Sequence, residues 1–388
     1  MTAPYRLHGT PGSLYTAKAR SFLIKQGIPF ENVPAGAPGF RETVVPAVGR
    51  WIIPVLETPQ GDLIQDGSEI IDRFERQGGL RWPSLPATPV LQVIARLFEL
   101  FGGEGLLRPA MHYRWNFDAV NQPFIGRDFA AGLAAPGAPA ADGEATFGFA
   151  AERMRRAMAG FGVCPESIPL IEAAYEEFLD LFDAHLAGSP YLLGGLPTVG
   201  DYGLIGPLYA HLGRDPYPAD LMKRRAYRVW RWVERMNAGG LDAAEYPDHR
   251  PEVFDGDVPP PTLEALMAFI ARDYLPELQA MIAFADGWLA ERPEIEPGTS
   301  GLKRPGDRVI GQATFDWRGV PITVNVMPYR LYLLQKVQDA IPAAGAPGHD
   351  AVMAMLARVG LGEIATLATR RRVERRDQVE VWGPVRQT

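Results

Sequence analysis

The sequence predicts three architectures in succession: an α/β unit, an all-helical region and a mixed α+β extension. Three observations support this. A strand, loop, helix, strand pattern opens the chain. Helical periodicity without strand alternation follows a proline-rich break at Arg81–Pro89. A second proline-bearing linker, Tyr246–Pro261, leads into helices and one alternating hairpin. A chain of 388 residues exceeds one average domain of about 100 to 200 residues. The expected units are residues 1–79, 88–245 and 262–388.

The opening unit begins with Tyr5–His8, turns through Gly9-Thr10-Pro11-Gly12, and continues with Ala17, Phe22, Leu23 and Ile24 at helical spacing. Gly27-Ile28-Pro29 stops that helix, and Phe30–Val33 supplies a strand parallel to the first. Pro54 cannot donate to a central ladder, so the apolar run Trp51–Leu56 predicts a strand that starts at or beside it. Gly61-Asp62 turns the chain into Leu63 and Ile64. Asp66-Gly67-Ser68-Glu69 then offers capping residues to a helix with Ile70, Ile71 and Phe74 on one face.

Helices are expected over Val90–Phe101, Ala150–Ala159, Ile168–Ala187, Val199–Leu212 and Lys223–Asn237. The Ala, Gly and Pro content of Leu133–Gly148 predicts a mobile excursion. Thr198 and Asp201 have the spacing of a capping box. In the extension, one helical pattern covers Leu263–Leu289. Alternation across Trp317-Arg318-Gly319 predicts a hairpin from Val309 to Val326. Helices over Tyr329–Ala340 and Asp350–Arg358 and a strand at Val379–Trp382 complete the prediction.

Composition restricts the function. The 47% hydrophobic and 22% charged residues suit a folded protein with sizeable cores. A net charge of -7 disfavours nucleic acid as a partner, because phosphate binding needs clustered cations. The cluster Arg370, Arg371, Arg372, Arg375 and Arg376 reads as a solvated strand or helix end. Cys164 is the single cysteine, so no internal disulfide or redox dithiol forms. The six histidines lack i, i+4 pairing, and no metal site is expected. Met1–Gly9 lacks a leader pattern, and no stretch of about 18 uncharged apolar residues occurs. A cytoplasmic protein without membrane partners is expected.

The loop ending in Ser13, the pair Ile53-Pro54 before a short strand, and the turn with Ser68 entering a helix occur in an order that resembles the glutathione transferases. Ala17-Lys18-Ala19-Arg20 matches that family's first helix. The segment Tyr191–Asp201 resembles its entry to a buried central helix. The resemblance covers residues 5–240 and implies a thioredoxin-like glutathione-binding domain followed by the family's all-helical domain, with 262–388 unassigned.

What the resemblance implies is specific. Glutathione serves as co-substrate, with a thiol of pKa near 8.5 that needs help to ionise. Ser13 is the catalytic residue, its hydroxyl donating to the sulfur at the positive end of the first helix. Thr10 and Tyr15 are secondary candidates. Ile53, before a cis Pro54, pairs its backbone with the cysteinyl moiety. Ser68 and Asp66 receive the γ-glutamyl end, although the family's acidic residue directly precedes its serine and Gly67 stands there instead. Arg50 is the cationic candidate for the glycyl carboxylate. Arg108–Trp115 suits either an acceptor pocket or packing.

The expected activity is conjugation of the glutathione thiolate to a small hydrophobic electrophile by a homodimer, as in detoxification. The alternatives are a non-catalytic glutathione-fold binding protein and a glutathione-dependent isomerase.

Overall fold

The computed structural model describes residues 4–135, 137–304 and 306–386. Strand β1 (Tyr5–His8), helix α1 (Leu14–Gln26) and strand β2 (Phe30–Val33) form the expected βαβ unit, with β2 parallel to β1. α1 ends on Gly27 at φ 68°, a left-handed cap that glycine adopts without strain. A short helix α2 (Val45–Val48) precedes β3 (Val55–Glu57), β4 (Leu63–Gln65) and α3 (Gly67–Gln77). The four strands lie in the order β2-β1-β3-β4, with β3 and β4 antiparallel to their neighbours. Leu7, Leu56 and Ile64 of the sheet belong to one core with Phe22 and Leu23 of α1 and Ile70, Ile71 and Phe74 of α3.

The helical region comprises α4 (Pro89–Leu100), α5 (Leu107–Trp115), α6 (Asp118–Leu133), α7 (Ala140–Ala157), α8 (Ile168–His185), α9 (Val199–Ala210), α10 (Pro216–Arg225) and α11 (Tyr227–Asn237). A one-turn π-helix, Phe101–Gly105, joins α4 to α5. α9 is the buried centre and packs on both α1 and α4. Its entry carries the expected capping box, with Thr198 N donating to Asp201 Oδ2 at 2.9 Å. Glycine is required where α9 crosses α4, since a Cβ on Gly203 falls 2.5 Å from Glu99 Cα.

Two expectations for the helical region need correction. Leu133–Gly148 is not an excursion, because α6 and α7 form a helical hairpin joined by a short connection. Alanine favours helix, and Gly143 permits a close approach, since a Cβ there sits 2.9 Å from Ala130 Cβ. Lys223–Asn237 is not one helix but the end of α10 and the whole of α11, broken at Ala226 (φ -133°, ψ 70°).

The extension contains α12 (Pro261–Asp273), α13 (Leu275–Ala290), β5 (Gly311–Trp317), β6 (Val320–Val326), α14 (Pro328–Ala343), α15 (Gly345–Arg358), β7 (Arg371–Arg376) and β8 (Val379–Val385). The helical pattern expected over Leu263–Leu289 is divided at Tyr274 (φ -120°), because Pro276 lacks the N–H and has the ring that interrupt a continuous helix, and it is tolerated in the first turn of α13. β5 and β6 pair as the predicted hairpin, and β7 and β8 form a second. The arginine cluster lies on and beside β7. Arg370, Arg372 and Arg376 pair at the surface with Asp286, Asp339 and Glu374, whereas Arg371 and Arg375 turn inward. α14 and α15 pack on α4, and apolar residues of all three segments join one core. Among the described residues no helix is long and apolar enough to cross a membrane.

Candidate functional site

Strand register gathers the sequence-predicted residues at one end of the sheet. His8, the last residue of β1, lies opposite Val55, the first of β3. The loop after β1 and the Ile53-Pro54 pair therefore leave the sheet side by side. Asp66 follows β4 at the same end, its N–H donating to Pro54 O at 3.2 Å.

Ser13 is the N-cap of α1, at φ -93° and ψ 123°, and its Oγ accepts from Thr16 N at 3.3 Å. It is half-buried, and its hydroxyl hydrogen meets no acceptor among the described residues. Capping and donation to a ligand are thus compatible, with the positive end of the helix adding to both. The two rival hydroxyls are turned elsewhere. Thr10 packs against Gly132, and Tyr15 donates to Glu104 at 3.2 Å. Arg108–Trp115 coincides with α5 and is buried throughout.

The Ile53-Pro54 peptide bond is cis. Ile53 lies outside the strands, and neither its N–H nor its C=O has a hydrogen-bond partner among the described residues. A backbone pair left free beside a helix N-terminus suits recognition of an extended peptide.

The residues expected at the other two subsites are covered by the extension. Asp66 has φ 93°, strained for a residue with a side chain. Its Oδ1 caps α3, accepting from Ser68 N at 2.8 Å and Glu69 N at 3.2 Å, while Oδ2 accepts from the Tyr329 hydroxyl at 2.7 Å. Burial would raise the Asp66 pKa, but Arg375, Lys18 and the Tyr329 hydroxyl outweigh it and hold the carboxyl below its ordinary value. Ser68 is fully buried. Its Oγ donates to Glu99 at 2.6 Å and accepts from Lys336 Nζ at 2.8 Å. Glu99 also receives Lys18 and Arg96, each at 2.6 Å. Burial would raise its pKa, and these cations drive it well below the carboxylate range.

Arg50 is buried and bonded to Glu380 Oε2 at 3.1 Å and to Gln378 O at 3.0 Å. Gln378 sits in the two-residue turn between β7 and β8. There Asp377 and Gln378 have φ 48° and 67°, unusual values for residues that are not glycine. The Gln378 side chain behaves like one peptide unit of an added strand. It accepts from Gln65 N and donates to Leu63 O, both at 3.0 Å, on the outer edge of β4.

Tyr329, Lys336, Gln378 and Glu380 are the site residues that sequence reasoning missed. They lie more than 260 positions from the residues they touch, and no local pattern announces such contacts. Among the described residues no cluster of three or more potential metal ligands occurs.

A thioredoxin-like sheet with a cis-proline, joined to a helical domain through a buried capped helix, defines the class of protein. Residues 7–82 match the glutathione S-transferase N-terminal domain, and residues 145–235 match the glutathione S-transferase C-terminal domain. The chain thus carries both domains of the glutathione S-transferase family in family order, and neither match extends past residue 235. No curated protein matches the chain. Similar solved structures include a glutathione S-transferase from Methylobacterium radiotolerans in complex with glutathione sulfonate, at 22% identity and TM-score 0.34, over 65% of this chain and 97% of that one. A glutathione S-transferase of Ceriporiopsis subvermispora in complex with glutathione has 16% identity and TM-score 0.39, over 60% and 96%. The β-etherase LigF of Sphingobium has 16% identity and TM-score 0.40, over 61% and 96%.

Proposed function

We propose that this family member works as a binding protein whose own extension holds the places that glutathione's two ends take in the resemblance. Arg50 carries the reading. The cation expected to receive a glycyl carboxylate is bonded to the chain's own carboxylate, Glu380, in a buried pair. Tyr329 on Asp66 and Lys336 on Ser68 support the same reading at the γ-glutamyl end. The groove as it stands fits the cysteinyl part of the tripeptide and not its ends. Weak retention of the full chain on immobilised glutathione is expected, with a clear gain in Glu380→Gln. Strong retention of the unaltered protein contradicts the reading.

Transfer of the glutathione thiolate to a small hydrophobic electrophile is the second reading. The Ser13 hydroxyl hydrogen and the Ile53 backbone, which meet no partner among the described residues, favour it. Turnover of 1-chloro-2,4-dinitrobenzene that disappears in Ser13→Ala supports transfer, and absence of turnover supports the binding protein. A homodimer follows from the resemblance alone, and a monomeric mass in light scattering removes it.

A further inference from the structure

The outer edge of the four-stranded sheet is closed by a single side chain. β4 ends the strand order and pairs with β3 alone, and its two outward groups, Gln65 N–H and Leu63 C=O, both meet the Gln378 amide at 3.0 Å. Gln378 holds φ 67° in the turn after β7, where glycine carries no strain and Asp-Gly is a preferred pair. The glutamine therefore gives up backbone ease. What it supplies is its amide.

A cleft of about 290 Å³ opens beside that amide, walled by Leu63 and Ile64 of β4, by α3 and by the Asp377-Gln378 turn. Small-ligand clefts begin at about this size, near 300 Å³. Three of its charged residues are already paired: Arg73 with Asp62 at 3.1 Å, Arg375 with Glu380 at 3.0 Å, and Glu69 with Lys336 at 3.3 Å. Arg76 and Asp377, the other two, are exposed and make no ion pair or side-chain hydrogen bond among the described residues. Exposed charges alone mark no site. Here they share a cleft with a strand edge that already accepts an amide, and that edge gives direction.

We propose that this cleft docks a short zwitterionic peptide, which adds to β4 as a strand in place of the Gln378 amide. α3 runs back along the sheet, so that Arg73 meets Asp62 just before β4, and Arg76 lies about one turn further on. A peptide with its carboxylate on Arg76 is therefore antiparallel to β4. In a tripeptide the first residue's C=O then accepts from Gln65 N, and the third residue's N–H donates to Leu63 O. The ammonium end is left to Asp377, the carboxylate of the turn. The site lies beyond the proposed covering of the glutathione ends and does not depend on it.

The test titrates the full chain with trialanine by calorimetry. Millimolar binding is expected. Gln378→Gly vacates the edge, leaves an Asp-Gly turn, and should bind about tenfold more tightly, the scale of two neutral hydrogen bonds released from competition. Trialanine methylated on its last peptide nitrogen should lose that gain. Arg76→Ala should weaken trialanine binding about threefold, as for an exposed charge pair. Circular dichroism and light scattering should show both variants folded and unassociated. Three results overturn the proposal: no binding to either chain at millimolar concentration, equal affinity of the methylated peptide for Gln378→Gly, or self-association of Gln378→Gly without a gain in affinity. The last makes Gln378 a guard of the strand edge alone. Gln378→Gly keeps the Glu380 partner of Arg50, so retention on immobilised glutathione judges the cover separately.

Discussion

The two parts of the groove differ in what meets them. At the Ser13 end, a helix cap and a peptide flanked by proline leave a hydroxyl hydrogen and a backbone pair without partners among the described residues. At the other end, Asp66, Ser68 and Arg50 are buried and each bonds to the extension. The same family framework is thus open chemistry on one side and closed packing on the other. Local sequence provides a site, and a distant segment decides whether it stays available.

The strongest way to break the contrast is at Glu99, where Lys18, Arg96 and Ser68 converge beneath the covered end. Glu99→Ala leaves buried cations uncompensated and should cost about 3 to 5 kcal/mol, read from urea unfolding. A loss below about 1 kcal/mol, the scale of an exposed pair, means that water already screens this cluster.

Acidification separates the framework from the cover. Burial holds His8, His112, His185 and His211 below the ordinary imidazole value, His185 at about 4. The unfolded chain binds protons that the folded protein refuses. Stability is therefore complete above about pH 6.5 and is lost as the pH falls towards 4, by about 3 kcal/mol from His185 alone. Asp66 and Glu380, with pKa values held below the ordinary range, stay charged through most of that interval. Melting temperature should fall between pH 6.5 and 4.5 while glutathione retention stays flat. A parallel rise in retention means that the cover opens with the framework.

Smaller effects sharpen the comparison. Tyr329→Phe removes a bond to a buried carboxylate and should cost about 2 kcal/mol in unfolding free energy while improving glutathione binding. Destabilisation with no gain in binding assigns Tyr329 to packing alone. Ser13→Ala should cost about 1 kcal/mol as a lost N-cap, and its unfolding midpoint measures that contribution independently of any ligand.

Much of the N-terminal unit was legible in sequence because its signals are local. Gly27 stops α1, Pro54 delays β3 to Val55, and Asp66 and Thr198 mark helix starts with side chains able to cap them. The α6–α7 hairpin was not, because the same alanines and glycines that suggest a loose segment also allow two helices to approach closely. The burial of Arg371 and Arg375 escaped notice for a related reason. A charge run reads as solvated until its partners, here Ile295 O, Glu380 and Gln65, are brought from elsewhere.

The sequence by itself determined the order of elements in the N-terminal unit, its thioredoxin-like fold and the resemblance of Ser13, Ile53-Pro54 and Ser68 to a glutathione groove. Turn chemistry, capping and strand spacing act over a few residues and can be read there. Only the tertiary structure decided that Tyr329, Lys336, Gln378 and Glu380 return to Asp66, Ser68, β4 and Arg50. Such pairings depend on where a common core carries distant segments, and shared burial, not local pattern, makes each charge find its partner.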